Sequence, residues 1–117
     1  MHVDEGTLSE YAEAVLDVVD SVPPGCVTTY GRVAALLSAA GLGGSARTVG
    51  AVMASHGAAV AWWRVCPVGG APPAHPREAV QRWADERTPV RVWNGSVRVD
   101  VAAALSQLRL PGWVGQR

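Results

Sequence analysis

Apolar residues Leu8, Tyr11, Val15 and Val18 recur at spacings of three and four with acids between them, which predicts an amphipathic first helix over about 8–20. Thr7-Leu8-Ser9-Glu10 reads as its capping box, and Pro23-Pro24-Gly25 breaks it. Val33, Leu36 and Leu37 mark the core face of a second helix over about 29–40, capped by Thr28 or Thr29 and closed by Gly41 at C′. Gly41-Leu42-Gly43-Gly44 is a tight turn, after which Ser45 caps a third helix through about 55. On that helix Val49, Val52 and Met53 face inward, while Thr48, Ala51 and Ser55 leave a small, smooth outer face. Helix, short glycine turn, helix is the helix-turn-helix pattern, weak when taken alone.

The apolar run Val60–Val65 predicts a short buried or half-buried strand, in which neighbouring side chains send Trp62 and Trp63 to opposite faces. Pro67–Pro73 is a loop. Pro76 suits the first position of a fourth helix over about 76–87, with Ala79, Val80 and Trp83 turned inward. Val90-Arg91-Val92 and Val97-Arg98-Val99 flank Asn94-Gly95 and predict a hairpin. Asp100 caps a last helix over about 101–108. The pattern is mainly α with a small β element, one domain over 1–117 without repeats, and 1–6 and 109–117 are expected as flexible ends.

With 117 residues, 49% of them hydrophobic, the chain can bury a core without disulfide or metal staples. No apolar run reaches the roughly 18 residues that span a bilayer, and MHVDEG lacks the basic and apolar parts of a signal peptide. Cys26 and Cys66 are therefore expected as reduced thiols in the cytoplasm, nucleoid-associated if the source is prokaryotic. His2, His56 and His75 have no ligand spacing, so neither metal nor cofactor is expected.

The zero net charge changes the picture once it is divided. Residues 1–20 hold six acids and no base, whereas residues 21–117 hold all ten basic residues, every one arginine, against four acids. The body of the chain thus carries a formal +6 (ten minus four), enough for one face to bind a polyanion. A solvated acidic helix beside an ordinary arginine surface explains the same numbers.

Three features then fall close together: Tyr30 opens helix two, Arg47 opens helix three, and Trp62-Trp63-Arg64-Val65 follows. Helix openings present free N–H groups and a positive dipole end, natural contacts for phosphate. Arg47 adds a planar cation that stacks on bases. On residue chemistry alone this describes a helix-turn-helix DNA binder with an aromatic-walled pocket.

Val27-Thr28-Thr29-Tyr30-Gly31, Ala46-Arg47-Thr48-Val49-Gly50 and the run ending Arg64-Val65 resemble the DNA-binding, C-terminal domain of O6-alkylguanine-DNA alkyltransferases. The resemblance runs from roughly Thr7 to Val92 and implies a winged-helix/helix-turn-helix fold. The active enzymes carry Pro-Cys-His-Arg-Val, and the matching places here are Ala61-Trp62-Trp63-Arg64-Val65. Tryptophan in place of the cysteine marks the alkyltransferase-like proteins, which bind O6-alkylguanine without repairing it. Indole supplies no nucleophilic anion, and Trp63 cannot accept a thiol proton. Glu86 matches the glutamate of the enzymes' proton relay. Cys66, four positions past Trp62, reads as a bland thiol.

The resemblance implies that Arg47 fills the gap left by a rotated base, that Tyr30 crowds the 3′ phosphate, and that the carbonyls of Trp62 and Val65 meet the guanine edge. Thr28, Thr29, Ser45 and Ala46 at the helix openings, with Thr48, Gly50 and Ala51 on helix three, complete the DNA-facing set. The loop Pro67–Ala74 closes the pocket, with Val68, Gly69, Gly70 and the adjoining His75 as its pocket residues and His75 or Arg77 as the lesion sensor. The implied partners are duplex DNA holding O6-alkylguanine and nucleotide excision repair proteins, the implied state is a monomer, and no membrane is involved. Two other readings remain open: a winged-helix transcription regulator with the hairpin as wing, and an active alkyltransferase using Cys66. Against the regulator, Thr48, Ala51 and Ser55 are too short for bidentate base readout in a major groove.

Overall fold

The computed structural model describes residues 9–114. Helix α1 spans Glu10–Asp20 and is capped by Ser9, whose Oγ accepts from Ala12 N at 3.0 Å. The Thr7 cap and Leu8 lie outside the described residues. Strand β1 (Thr28–Thr29) leads into α2 (Tyr30–Ala39), where Thr29 Oγ1 accepts from Arg32 N at 3.2 Å. Past Ala40 the chain turns at Gly41 (φ +86°), where Leu42 N reaches Leu37 O and Gly41 N reaches Ser38 O, a Schellman closure. Helix α3 spans Ala46–His56 behind a reciprocal capping box of Ser45 and Thr48.

The expected strand over 60–65 is the main correction. Only Val65–Cys66 is a strand, β2, and it pairs in parallel with Thr28–Thr29. Trp62–Arg64 forms a 3-10 turn instead, following another at Gly57–Ala59. The reason lies in the side chains: both Trp63 and Arg64 bond the same carboxylate, Glu86. Strand neighbours face opposite ways and could not do so, whereas neighbours in a 3-10 turn are about 120° apart.

Helix α4 runs Pro76–Glu86, followed by β3 (Val90–Trp93) and β4 (Ser96–Val99), an antiparallel hairpin about Asn94 (φ +48°) and Gly95 (φ +76°). Asp100 caps α5, which is shorter than expected, Val101–Ala104. It stops because Val27 takes over the chain: Val27 N donates to Ala104 O at 2.9 Å and Ser106 N to Val27 O at 2.8 Å. Within the stretch expected as a flexible end, Trp113 Nε1 donates to Asp17 Oδ2 at 2.7 Å and Val114 packs on the main core.

The core has two parts, and β2 is their seam. Val15, Val18, Val19, Val33, Leu37 and Val49 unite α1–α3 and take in Val65. Val27, Ala79, Trp83, Val99 and Ala104 form the second part and take in Cys66. Adjacent residues of one strand thus enter opposite cores, which fixes the turn just before it in position. Among the described residues, no helix is long and apolar enough to cross a membrane.

Candidate nucleic-acid interface

A cavity of about 200 Å³ opens between α2, α3 and the 62–64 turn. Its walls are Tyr30, Met53 and Trp62, its floor is Gly50, Ala54, Gly57 and Ala58, and Pro73, Ala74 and His75 close one side. His75 meets the Trp62 ring edge-on at 5.5 Å between centroids, and Trp63 stands edge-on behind it at 5.6 Å. Small residues make the floor possible. Gly57 is buried, and a Cβ there would lie 3.1 Å from Met53 Cε and 3.7 Å from Trp62 Cβ.

Four residues singled out in the sequence therefore meet here: Tyr30, Gly50, Trp62 and His75. Arg47, Ala46 and Ala51 lie on the exposed surface of α3, and Arg47 makes no hydrogen bond or ion pair to the described residues. Ser45 and Thr48 are spent on the helix start. Thr48 Oγ1 receives Ser45 N at 2.7 Å, gives to Ser45 O at 2.8 Å and meets Tyr11 Oη at 3.0 Å. That last contact ties α1 to the first turn of α3, beside Arg47.

Other expected positions do not reach the cavity. Thr28 and Thr29 are buried at the head of α2, and the side chain of Val65 is sealed in the main core. Val68 is 81% exposed. Gly70 sits under the hairpin, where its carbonyl accepts from Val99 N at 2.9 Å. Its φ is +77°, and a Cβ would strike the Val99 carbonyl. Val68, Gly69 and Gly70 thus belong to the hairpin side of the loop, and only its far end, Pro73–His75, walls the cavity. Met53, Ala54, Gly57 and Ala58 were missed, whereas Pro73 and Ala74 fall in the loop expected to close the pocket. The usable signal was the small residues Gly50, Ala54 and Gly57, spaced four and three apart on one helical face.

Behind the cavity lies a polar cluster. Glu86 accepts from Trp63 Nε1 at 3.0 Å, Arg64 Nε at 3.1 Å, Arg64 Nη2 at 2.6 Å and Gly25 N at 3.3 Å. Burial pushes the Glu86 carboxyl up, but the bonds from Arg64, Trp63 and Gly25 with the Arg64 charge outweigh it and hold the group below its ordinary value. Arg82 lies over the Trp63 ring at 4.6 Å and Arg64 at 5.6 Å. Trp83 Nε1 pins the turn's backbone by donating to Trp63 O at 2.8 Å.

The cavity wall offers no thiolate. Cys66 is fully buried and does not line the cavity, its Sγ is 3.6 Å from Thr28 O, and burial pushes its thiol up to about 11. Burial first, and then the neighbouring Cys66, also raises Tyr30, so its phenol stays protonated and can donate. Among the described residues, no cluster of three metal-ligating side chains occurs.

Residues 10–86 match the family described as 6-O-methylguanine DNA methyltransferase, DNA binding domain. The chain belongs to this family. Its fold is shared with two solved structures: S. pombe Atl1 in complex with damaged DNA containing O6-carboxymethylguanine (TM-score 0.71, 23% identity), and S. pombe ATL in complex with DNA (TM-score 0.70, 24% identity). Each likeness covers 86% of this chain and 98% of the other. A comparison with curated proteins finds no match. The family match ends at residue 86, so the β3–β4 hairpin lies beyond it.

Proposed function

We propose that this protein binds O6-alkylguanine in duplex DNA, receives the flipped base in the Tyr30–Trp62–His75 cavity, and leaves the alkyl group in place. The carrying observation is that the Trp62 indole lines the cavity while Cys66 is fully buried, outside that lining, with its thiol pushed up to about 11. Alkyl transfer needs a thiolate beside a proton acceptor, and neither Trp62 nor Trp63 can serve as either. The cavity is smaller than the usual 300–1,000 Å³ of drug-sized ligand sites, a size suited to a single base.

The energetics are consistent. Unstacking a base costs a few kcal/mol, least at a damaged pair. Arg47, exposed on the first turn of α3, would enter the vacated stack from the minor groove. The indole of Trp62 would return about 1–3 kcal/mol by stacking or edge contact. The relatives' structures support this reading, since both are complexes with DNA and one contains O6-carboxymethylguanine. A bound lesion left unrepaired works as a flag, and handing it to nucleotide excision repair follows as part of the same proposal.

The test is a titration of one duplex with and without a single O6-methylguanine. The proposal expects tighter binding to the damaged duplex and a lesion recovered intact afterwards. Equal affinity for the two would overturn it.

A further inference from the structure

The hairpin beyond the family match carries a surface that the lesion cavity does not use. Its register pairs Val90 with Val99, Arg91 with Arg98, Val92 with Val97 and Trp93 with Ser96. Alternation places the four valines on one face and Arg91, Trp93, Ser96 and Arg98 on the other. Val99 is buried in the second core and Val97 packs on it, so the β4 half of the valine face turns toward the body, while Val90 and Val92 on β3 stay exposed. The opposite face sets two guanidinium groups directly across from each other, an arrangement that by itself destabilises a hairpin.

Among the described residues, one carboxylate answers these two cations. Asp100 Oδ2 lies 3.4 Å from Arg91 Nη2, while its Oδ1 is engaged in capping α5 at Ala103 N, 3.3 Å away. Arg98 Nη1 reaches the Gly69 carbonyl only at 3.5 Å, and its Nε is buried without a partner. Trp93, next along the same face, is 59% exposed. Cations in excess of their counter-charges beside an open indole suit a phosphodiester chain: the guanidinium fork matches phosphate, and the indole packs on sugar or base.

Position favours the same partner. Ser96 and Val97 share a cleft with Pro72, Pro76 and Arg77, and the segment between those residues, Pro73–His75, is the wall of the lesion cavity. The hairpin therefore adjoins that wall. The molecule is 50 Å long, more than one turn of B-DNA at about 34–36 Å.

We propose that the Arg91–Arg98–Trp93 face is a second DNA contact, holding backbone phosphates of the duplex to one side of the lesion. It rests on the lesion-binding reading but is separable from it by experiment. The salt dependence of binding is measured for the wild type, Arg91→Gln and Arg91→Gln/Arg98→Gln, on a long duplex with a central O6-methylguanine and on duplexes trimmed on either side. Each lost phosphate contact lowers the slope of log K against log salt by about 0.9. The single variant should lose about 0.9 and the double variant about 1.8 on the long duplex, with the lesion preference kept. On one of the trimmed duplexes, wild type and variants should bind alike. Arg91 is exposed, so the single variant folds, and relief of the like-charge pair should leave its melting temperature level or higher. Unchanged slopes in both variants, with the wild type still preferring the lesion, would overturn the hairpin contact and leave the face to an acidic protein segment. Falling slopes in a wild type blind to the lesion would keep the contact and sink the lesion reading.

Discussion

The indole N–H of Trp63 is bonded to Glu86 Oε2 at 3.0 Å, across 23 residues of chain. In the resemblance drawn from the sequence, these two positions correspond to the histidine and glutamate of the enzymes' proton relay. Indole keeps the donor that a histidine would offer the carboxylate and drops the acceptor that would serve a thiol. Here the cluster works as a brace. Glu86 joins the turn behind the cavity to the end of α4 and to Gly25.

That brace has a pH signature. The folded pKa of Glu86 lies below its unfolded value, so its contribution is full above about pH 4.3 and is lost as pH falls through the folded value. Glu86→Gln should lower stability by about 2 kcal/mol at neutral pH, the scale of hydrogen bonds to a charged group. The gap between variant and wild type should close on acidification below about pH 4. Thermal melts from pH 3 to 7 check this, and a gap that is constant across the range would refute it.

Cys66 should be chemically silent. A thiol pushed up to about 11 and fully buried is neither a thiolate nor within a reagent's reach at neutral pH. Incubation with O6-methylguanine duplex should leave the protein mass unchanged. Thiol alkylation followed by peptide mapping should label half-buried Cys26 in the native protein and Cys66 only after denaturation. A methyl gained on Cys66 would restore the enzymatic reading.

The helix-turn-helix was legible because every part of it is local. Valines at helical spacing, Thr29 and Ser45 as caps and Gly41 at C′ are each visible within a few residues. Asn94-Gly95 announced the hairpin in the same way, through two residues that accept positive φ. The 62–64 turn was not legible, because an apolar run fits a strand equally well and the deciding group, Glu86, is 22 residues away from Arg64. The early end of α5 was hidden for a similar reason, since its competitor is the backbone of Val27. The cavity walls were half legible. Aromatics at Tyr30 and Trp62 stand out, whereas a floor of Gly50, Ala54 and Gly57 carries no hydrophobic signal at all.

Arg47 bears on binding in a way that salt can dissect. A cation that touches only phosphate contributes a sequence-blind amount, and its loss lowers the salt slope by about 0.9. A guanidinium filling the vacated stack also stabilises the flipped state, which is reached only at the lesion. Arg47→Ala should therefore weaken binding to the O6-methylguanine duplex more than to its undamaged twin. Parallel titrations at several salt concentrations measure both terms. An equal loss on the two duplexes, with only the slope altered, would reduce Arg47 to a phosphate contact.

The two tryptophans should separate recognition from stability. Trp62 faces the cavity with His75 against its ring, so Trp62→Ala removes contact with a guest base, and the packing it also takes from the second core should cost less stability than losing Trp63 with its bond to Glu86. Base–aromatic contact is worth about 1–3 kcal/mol, so the preference for O6-methylguanine over guanine should narrow by about tenfold or more. Trp63 bonds Glu86, has the Arg82 and Arg64 guanidinium groups against its ring, and, like Trp62, packs against the second core. Trp63→Ala should cost about 3 kcal/mol of stability, the low end for a large aromatic because Trp63 is only half-buried. Its lesion preference should change far less than that of Trp62→Ala once measured at a temperature where both variants are folded. Trp63→His should recover part of the loss, since imidazole can again donate to Glu86, and Trp63→Phe should recover less. Melting curves and lesion titrations on these variants decide the assignment: a stability loss at Trp62 with a recognition loss at Trp63 would exchange the two roles.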